Sequence, residues 1–244
     1  MRHLATDALA LVRAEGVDLS RVTTTARTTG CAAIFVDRQG RNMIGVGSGA
    51  NLEVRADQVE DALLTSATAL VLQMEVAGEE TAALIRRARA RDARIVLNLA
   101  PAAPIGADAL RMVDLLCLNE VEAAWLAGTL GCAPAAEGLH AALGVTVVRT
   151  LGAQGAEAAH PGGLLLVPAH PVDAVDTTGA GDCFTGVLAS GLDRGLALGP
   201  ALARASAAAA LCCIRAGSQA TMPGSAQTDA MLAGPGTTLP RPTR

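Results

Sequence analysis

Residues 172–192 read VDAVDTTGAGDCFTGVLASGL, and this stretch decides the fold. Asp176-Thr177-Thr178 leads into Gly179-Ala180-Gly181-Asp182, and an Ala/Leu/Gly run follows that reads as a buried helix. Glycines ahead of a helix let the backbone take positive φ and turn its N–H groups toward one point. The helix start adds unsatisfied N–H groups and the positive end of the macrodipole. Together these make an anion site, suited to a phosphate or to charge developing on one. Asp182 sits where a carboxylate can accept a proton from an attacking hydroxyl, which is general-base work. The plainer reading is an αL turn with Asp182 as a helix cap, but the Asp176-Thr177 lead-in makes the motif longer than a bare GxGD.

Outward from this stretch, strands and helices alternate from residue 56 on. Asp57–Ser66, Glu79–Arg91, Ile105–Met112, Asn119–Ala127, Ala135–Leu143 and Pro200–Ile214 read as helices. Ala69–Met74, Arg94–Leu99, Leu115–Leu118 and Val145–Thr150 read as strands, and Glu157–His160 with Leu164–Pro168 as a short hairpin. Arg86, Arg87, Arg89 and Arg91 are expected on the wet side of their helix. Such alternation with short connections predicts an α/β fold, a mostly parallel sheet covered by helices on both faces. Ahead of it, residues 4–15 have helical spacing and Val22–Ala26 is a candidate strand. Cys31–Val36 and Met43–Val46 flank the turn Asp37-Arg38-Gln39-Gly40 as a hairpin, which needs something to pack on. The tail from Gly234 is rich in Pro, Gly and Thr and is expected to be disordered. One domain over 1–233 and a tail over 234–244 is the expected division, with the hairpin region at about 22–49.

The 244 residues are enough to bury a sizeable core, half of them apolar but with only Phe35, Phe184 and Trp125 aromatic. Net charge is −4 with no basic run, which argues against nucleic acid or an anionic membrane as partner. Arg is the only strong cation, since the chain contains no Lys. Cys31, Cys117, Cys132, Cys183, Cys212 and Cys213 show neither metal spacing nor a disulfide framework. Ala207–Ile214 is too short to span a bilayer, and no signal peptide is visible, so the chain reads as cytoplasmic. His3, His140, His160 and His170 fall in no motif and read as surface or loop residues.

Ligands of open α/β sheets bind beyond the carboxyl ends of the strands. Glu75, Asn98, Asn119-Glu120-Val121-Glu122 and Thr150-Leu151-Gly152-Ala153-Gln154-Gly155 all fall at such ends. Each has a structural explanation alone; Asn119 with Glu122 makes a capping box, and Thr150 with Gly152 a turn.

Taken with DTTGAGDCFTGVLASGL, these segments resemble, in order, the ribokinase-like (phosphofructokinase-B) carbohydrate kinases. LQMEV resembles that family's strand ending in a substrate-contacting Glu, here Glu75; NLAPA its NPAPA segment; NEVEA its NxxE motif; TLGAQG its nucleotide loop. The resemblance implies a three-layer α/β/α fold with a β lid, and ATP-dependent phosphorylation of a sugar hydroxyl. It implies Asp182 as base and substrate contact, with Gly179, Ala180 and Gly181 as the anion hole. Asn119, Thr150, Gly152, Gly155 and Gly181 would lie along the nucleotide, with Ser206 a weaker carry-over on the adenine side. Glu122 would organise Mg²⁺ through water. Asp176, Thr178, Cys212, Arg215, Gly217 and Thr221 would hold a monovalent cation, K⁺. IFVDRQGRNMIGVGSGAN resembles the lid of the ribokinase branch, which favours D-ribose as acceptor and a homodimer through the lid.

The resemblance covers residues 1 to about 223, but the family's opening GSxNxD segment and GGKGAN motif have no counterpart. About a quarter of the family pattern, the part that grips the sugar, is therefore expected to be missing, and little or no activity is expected of the chain as given. Positioning supplies about 7–11 kcal/mol in such transfers, which an anion hole worth about 10²–10³ in rate cannot replace. Another sugar or nucleoside kinase of the superfamily, and a non-catalytic nucleotide-binding remnant, are the alternatives. A Rossmann dehydrogenase ranks below them, because the Gly-rich turn lies late in the chain and lacks GxGxxG spacing.

Overall fold

A computed structural model describes residues 2–36 and 42–234. Six strands form the main sheet: β3 Ala69–Leu72, β4 Arg94–Asn98, β5 Leu115–Asn119, β6 Thr146–Thr150, β7 Ala156–His160 and β8 Gly163–Val167. Their spatial order is their chain order. The first three pairings are parallel (β3–β4, β4–β5, β5–β6) and the last two, β6–β7 and β7–β8, are antiparallel. A separate antiparallel pair, β1 Cys31–Val36 and β2 Asn42–Gly47, makes a hairpin in the register Ala33↔Gly45. Its Asp37–Gly40 turn lies outside the described residues, as does the tail beyond 234.

Helices α2 Gly78–Arg89, α3 Ala107–Leu110, α4 Glu120–Leu130 and α5 Ala136–Leu143 cover one face of the sheet. Helices α6 Ala180–Asp193 and α7 Leu198–Cys213 cover the other. The strands are apolar on both faces because both are buried. Ile95, Leu97, Leu116, Leu118 and Val147 point to the α2–α5 layer, while Val96, Leu115, Cys117 and Val148 point to α6 and α7. With Phe184 the lone aromatic among the buried core residues, Ala and Gly bring α6 and α7 into close contact instead. Helix α8 Ser225–Leu232, which the sequence pattern does not reveal, packs on α7.

Five expectations change. Asp57–Ser66 is not an α-helix but two 3₁₀ turns, Ala56–Gln58 and Asp61–Leu63. Side chains have claimed the backbone there: Glu80 accepts from the Ala56 N–H, and Arg87 donates to the carbonyls of Ala56 and Val59. Ile105–Met112 keeps only the single turn α3, and Arg89 takes the Met112 carbonyl at 2.7 Å. Val22–Ala26 forms no strand; side-chain ion pairs such as Arg27–Glu53 hold that segment instead of a β partner. Of the α2 arginines only Arg86 is exposed, while Arg87, Arg89 and Arg91 are half-buried against Asp61 and Asp114. His140 also departs from expectation: it lies within α5, and its Nδ1 sits 2.6 Å from the Val145 carbonyl.

Strand β3 is a free edge of the main sheet, and its Val71 is 46% exposed. Beside it lies a cavity of about 590 Å³, bounded by helix α1 Arg2–Ala14 through Ala5, Ala8 and Leu9, and by Asn51, Gln73 and Thr81. Among the described residues no helix is long and apolar enough to cross a membrane.

Candidate active site

The loop ahead of α6 is fixed first by its own backbone. The N–H groups of Val175 and Asp176 donate to the Cys213 carbonyl at the end of α7, at 2.8 and 3.2 Å. Asp176 then accepts from the Thr178 N–H at 2.9 Å and from the Gly217 N–H at 3.0 Å. These two bonds, Gly217 first, hold its carboxyl below the usual range. Gly179 follows with φ +79°, and a Cβ there would stand 2.7 Å from Ser218 Oγ, so only glycine fits.

Helix α6 opens on that glycine. The Cys183 N–H makes the first helical bond, to the Gly179 carbonyl, at 2.9 Å. The Ala180 N–H turns back to the Thr177 carbonyl at 3.2 Å, so it is spent. The expected hole of Gly179, Ala180 and Gly181 is thereby revised. Among the described residues, the N–H groups of Gly179, Gly181 and Asp182 have no protein acceptor, and those of Gly181 and Asp182 lie at the positive helix end.

The Asp182 side chain faces a second carboxylate. Asn119, last residue of β5, and Glu122 make a reciprocal capping box: Glu122 N–H to Asn119 Oδ1 at 2.9 Å and Asn119 N–H to Glu122 Oε2 at 2.7 Å. Glu122 is 8% exposed. Burial pushes its carboxyl up, the Asn119 bonds oppose this, and the nearby Asp182 charge adds to the rise. Loss of solvation likewise raises Asp182. The capping box uses Glu122 Oε2 and leaves Oε1 without a hydrogen-bond partner among the described residues. Two carboxylates that repel one another suit a hard divalent cation, which needs one or two carboxylates and keeps its waters. The donors present fit Mg²⁺, and among the described residues no group of three or more His, Cys, Asp or Glu competes as a metal centre.

The TLGAQG segment leaves β6 as a tight turn, with the Leu151 N–H on the Gly155 carbonyl at 2.8 Å. Gly155 has φ +101°, and a Cβ on it would come within 2.0 Å of the Val167 carbonyl, so the loop lies flat on β8. Beneath it Arg149 and Glu157, opposite one another in β6 and β7, form an ion pair at 2.8 Å. Thr150, Gly152 and Gly155 therefore stand together at the carboxyl end of β6, next in the sheet to Asn119 on β5. Ser206 is buried in α7, and its hydroxyl donates at 3.2 Å to the carbonyl of Pro168, in the segment on which Gly155 lies.

The six residues of the expected cation cluster do meet. Thr221 Oγ1 lies 3.1 Å from Cys212 Sγ and donates to the Ser218 carbonyl at 2.8 Å, while Arg215 donates to the Thr221 carbonyl at 3.3 Å. Cys212 Sγ also reaches the Thr178 carbonyl at 3.9 Å, and Asp176 reaches Gly217. Carbonyl, hydroxyl and carboxylate oxygens of this kind suit a monovalent cation, although several already accept hydrogen bonds. Glu75 is exposed in the turn after β3, where its N–H donates to the Gln73 side chain. Gln73 lines the cavity beside β3, and Glu75 does not. Ser218 behind Gly179, and Thr185 on α6, were not picked out by motif reading; Thr185 was visible only as the residue three beyond Asp182.

A three-layer α/β sheet whose anion-binding helix start faces a carboxylate pair, beside a Gly-rich turn, defines a phosphoryl-transfer kinase class. Residues 3–224 match the pfkB family carbohydrate kinase model, and the chain belongs to that family. It is 32% identical to the ribokinase of Haemophilus influenzae over 219 residues, covering 86% of this chain and 71% of the relative. It is 33% identical over 221 residues to a bifunctional ribokinase/ribose-5-phosphate isomerase A of Fructilactobacillus sanfranciscensis, covering 86% of this chain but only 41% of that enzyme. The fold is similar to that of an Arabidopsis thaliana ribokinase complexed with ribose and ATP, with a TM-score of 0.72 and 26% identity over 86% of this chain and 70% of the other.

Proposed function

We propose that the chain carries the phosphoryl-transfer half of a ribokinase, using ATP and D-ribose to give ADP and D-ribose 5-phosphate. The observation that carries this reading is the pair of unspent Gly181 and Asp182 amides at the start of α6, with the Asp182 carboxylate close enough for its charge to raise Glu122. The sugar hydroxyl attacks the γ-phosphorus in line, its proton passes to the Asp182 carboxylate, and the bond to the β,γ-bridging oxygen breaks to release ADP. The amides hold the charge that develops on the transferred group, and the helix dipole adds to them. Thr150, Gly152 and Gly155 lie along the nucleotide, with Asn119 at its phosphate end. Glu122 would organise Mg²⁺ through water, and the ion when bound neutralises phosphate charge. Asp176, Thr178, Cys212, Arg215, Gly217 and Thr221 would hold K⁺ and so steady the loop before Gly179. Glu75 would contact the sugar, and the β1–β2 hairpin would act as lid and homodimer contact.

One observation favours a second reading, a nucleotide-binding form with weak or no turnover: Glu75, the residue assigned to grip the sugar, is exposed. Coupled ADP release with Mg-ATP, K⁺ and D-ribose, run beside Asp182→Ala, separates the two. Turnover abolished by Asp182→Ala and by chelation of Mg²⁺ supports the kinase. ADP binding by a folded chain without turnover in either protein supports the second reading. Turnover that survives Asp182→Ala refutes the assignment of the base.

A further inference from the structure

Helix α6 must hold Asp182 at a fixed distance from Glu122, yet its first turn is glycine-flanked and has few side chains with which to grip the sheet. Phe184, Leu188 and Ala189 bury it against β4, β5 and β6, but apolar contacts are non-directional and leave a helix free to roll. Two polar contacts recorded between α6 and the sheet supply direction. At the far end Arg94 of β4 donates to the Leu192 carbonyl at 2.7 Å. At the near end Thr185 Oγ1 donates to Cys117 Sγ of β5 at 3.5 Å. Thr185 is 4% exposed and Cys117 2% exposed. Residues three apart share one face of a helix, so Thr185 sits one turn below Asp182 on the same side. Cys117, in turn, is two residues before Asn119 on the strand that carries the capping box.

We infer that Thr185 and Cys117 are positioning residues: their buried hydrogen bond sets the roll of α6 about its axis and thereby aims Asp182 at the end of β5. The thiol is suited to this because it stays protonated; burial first, with the Glu122 charge adding, pushes it up to about 11. A neutral sulfur accepts the hydroxyl hydrogen without placing a third charge beside Glu122 and Asp182. Valine at 185 would fill the same volume and leave the sulfur unpaired.

The inference rests on Asp182 acting as the base, and the test separates the two. Thr185→Val, Thr185→Ser and Asp182→Asn are compared by steady-state kinetics and by amide hydrogen exchange of residues 183–186, whose N–H groups are bonded within α6. Thr185→Val is expected to lower kcat about tenfold with the ATP KM changed less than about twofold, and Thr185→Ser to recover most of the loss. Exchange at 183–186 is expected to speed up in Thr185→Val, return in Thr185→Ser, and stay unchanged in the α7 interior. A kcat equal to that of the unmodified chain, or a change confined to KM, overturns the inference. Unchanged exchange at 183–186 overturns it too, and this readout needs no turnover. Activity retained by Asp182→Asn refutes the base while leaving the exchange result to decide the positioning.

Discussion

Gly179→Ala probes the loop that opens α6 most directly. At φ +79° an alanine carries a left-handed penalty of about 1–2 kcal/mol. Its Cβ would also lie 2.7 Å from Ser218 Oγ, a contact real side chains do not tolerate, while Ser218 Cβ is farther away at 3.4 Å. The overlap is with the tip of a short side chain, and turning Ser218 away costs about 0.5–1.5 kcal/mol more. Urea denaturation should therefore show Gly179→Ala less stable by about 1.5–3.5 kcal/mol. Removing the oxygen with Ser218→Ala leaves contacts of 3.4 Å to its Cβ and 3.5 Å to the Met222 methyl, so the double variant should regain the overlap part and keep about 1–2 kcal/mol of backbone strain. Activity should not return with stability, because the strain still displaces the Gly181 and Asp182 amides; a loss of about 10²–10³ in kcat is expected in both variants. A single variant within about 0.5 kcal/mol of the unmodified chain would refute the geometry. So would a double variant no more stable than the single one.

Other perturbations read the same site by different means. Asp182 is raised by lost solvation, so it favours the protonated native state: its contribution is fully present below the ordinary aspartate value and is lost as pH rises through the raised one. Asp182→Asn should therefore raise the melting temperature at pH 7–8, make no difference in acid, and abolish turnover. Asp176 is shifted the other way by the Gly217 and Thr178 amides, so its contribution is present above the ordinary value and is lost as pH falls through the lowered one. The protection factor of the Gly217 amide should fall on acidification and become insensitive to pH in Asp176→Asn. Val71→Lys places a charge on the free β3 edge, and light scattering should show less self-association with an unchanged unfolding midpoint.

Much of this architecture is legible in the sequence where burial on both faces forces continuous apolar strands, as in Arg94–Leu99 and Leu115–Leu118. It is legible too at the capping box, because Asn119 and Glu122 are close in the chain and the bond pattern is local. The reading fails where distant side chains intervene. Nothing in Asp57–Ser66 announces that Arg87, some thirty residues on, takes the carbonyls a helix would need. The site shows the same division. Gly179 through Asp182 is a contiguous signal, but the diversion of the Ala180 amide to Thr177 is a matter of turn geometry that composition does not encode. Ser218 escapes notice because its role is steric and depends on a chain reversal between α7 and α8. Glu75 follows its strand as expected, but the local bond of its N–H to the Gln73 side chain is not something the motif announces.

The main-sheet strands stand side by side in the order in which they are synthesised. Each new β–α unit can therefore dock on the one just made, without waiting for a strand to be inserted between earlier neighbours. Growth on the ribosome, at about 5–20 residues per second, can lay the sheet down from β3 toward β8 with local contacts throughout. The loop before α6 does not share this early closure. Asp176 is tied by Gly217, and Thr221 closes the cluster, so its last fastening emerges some forty residues after the Asp it secures. The nascent chain thus builds the strand ends that carry Asn119 and Thr150 first, and the loop before Gly179 is held only when most of the described residues have been made.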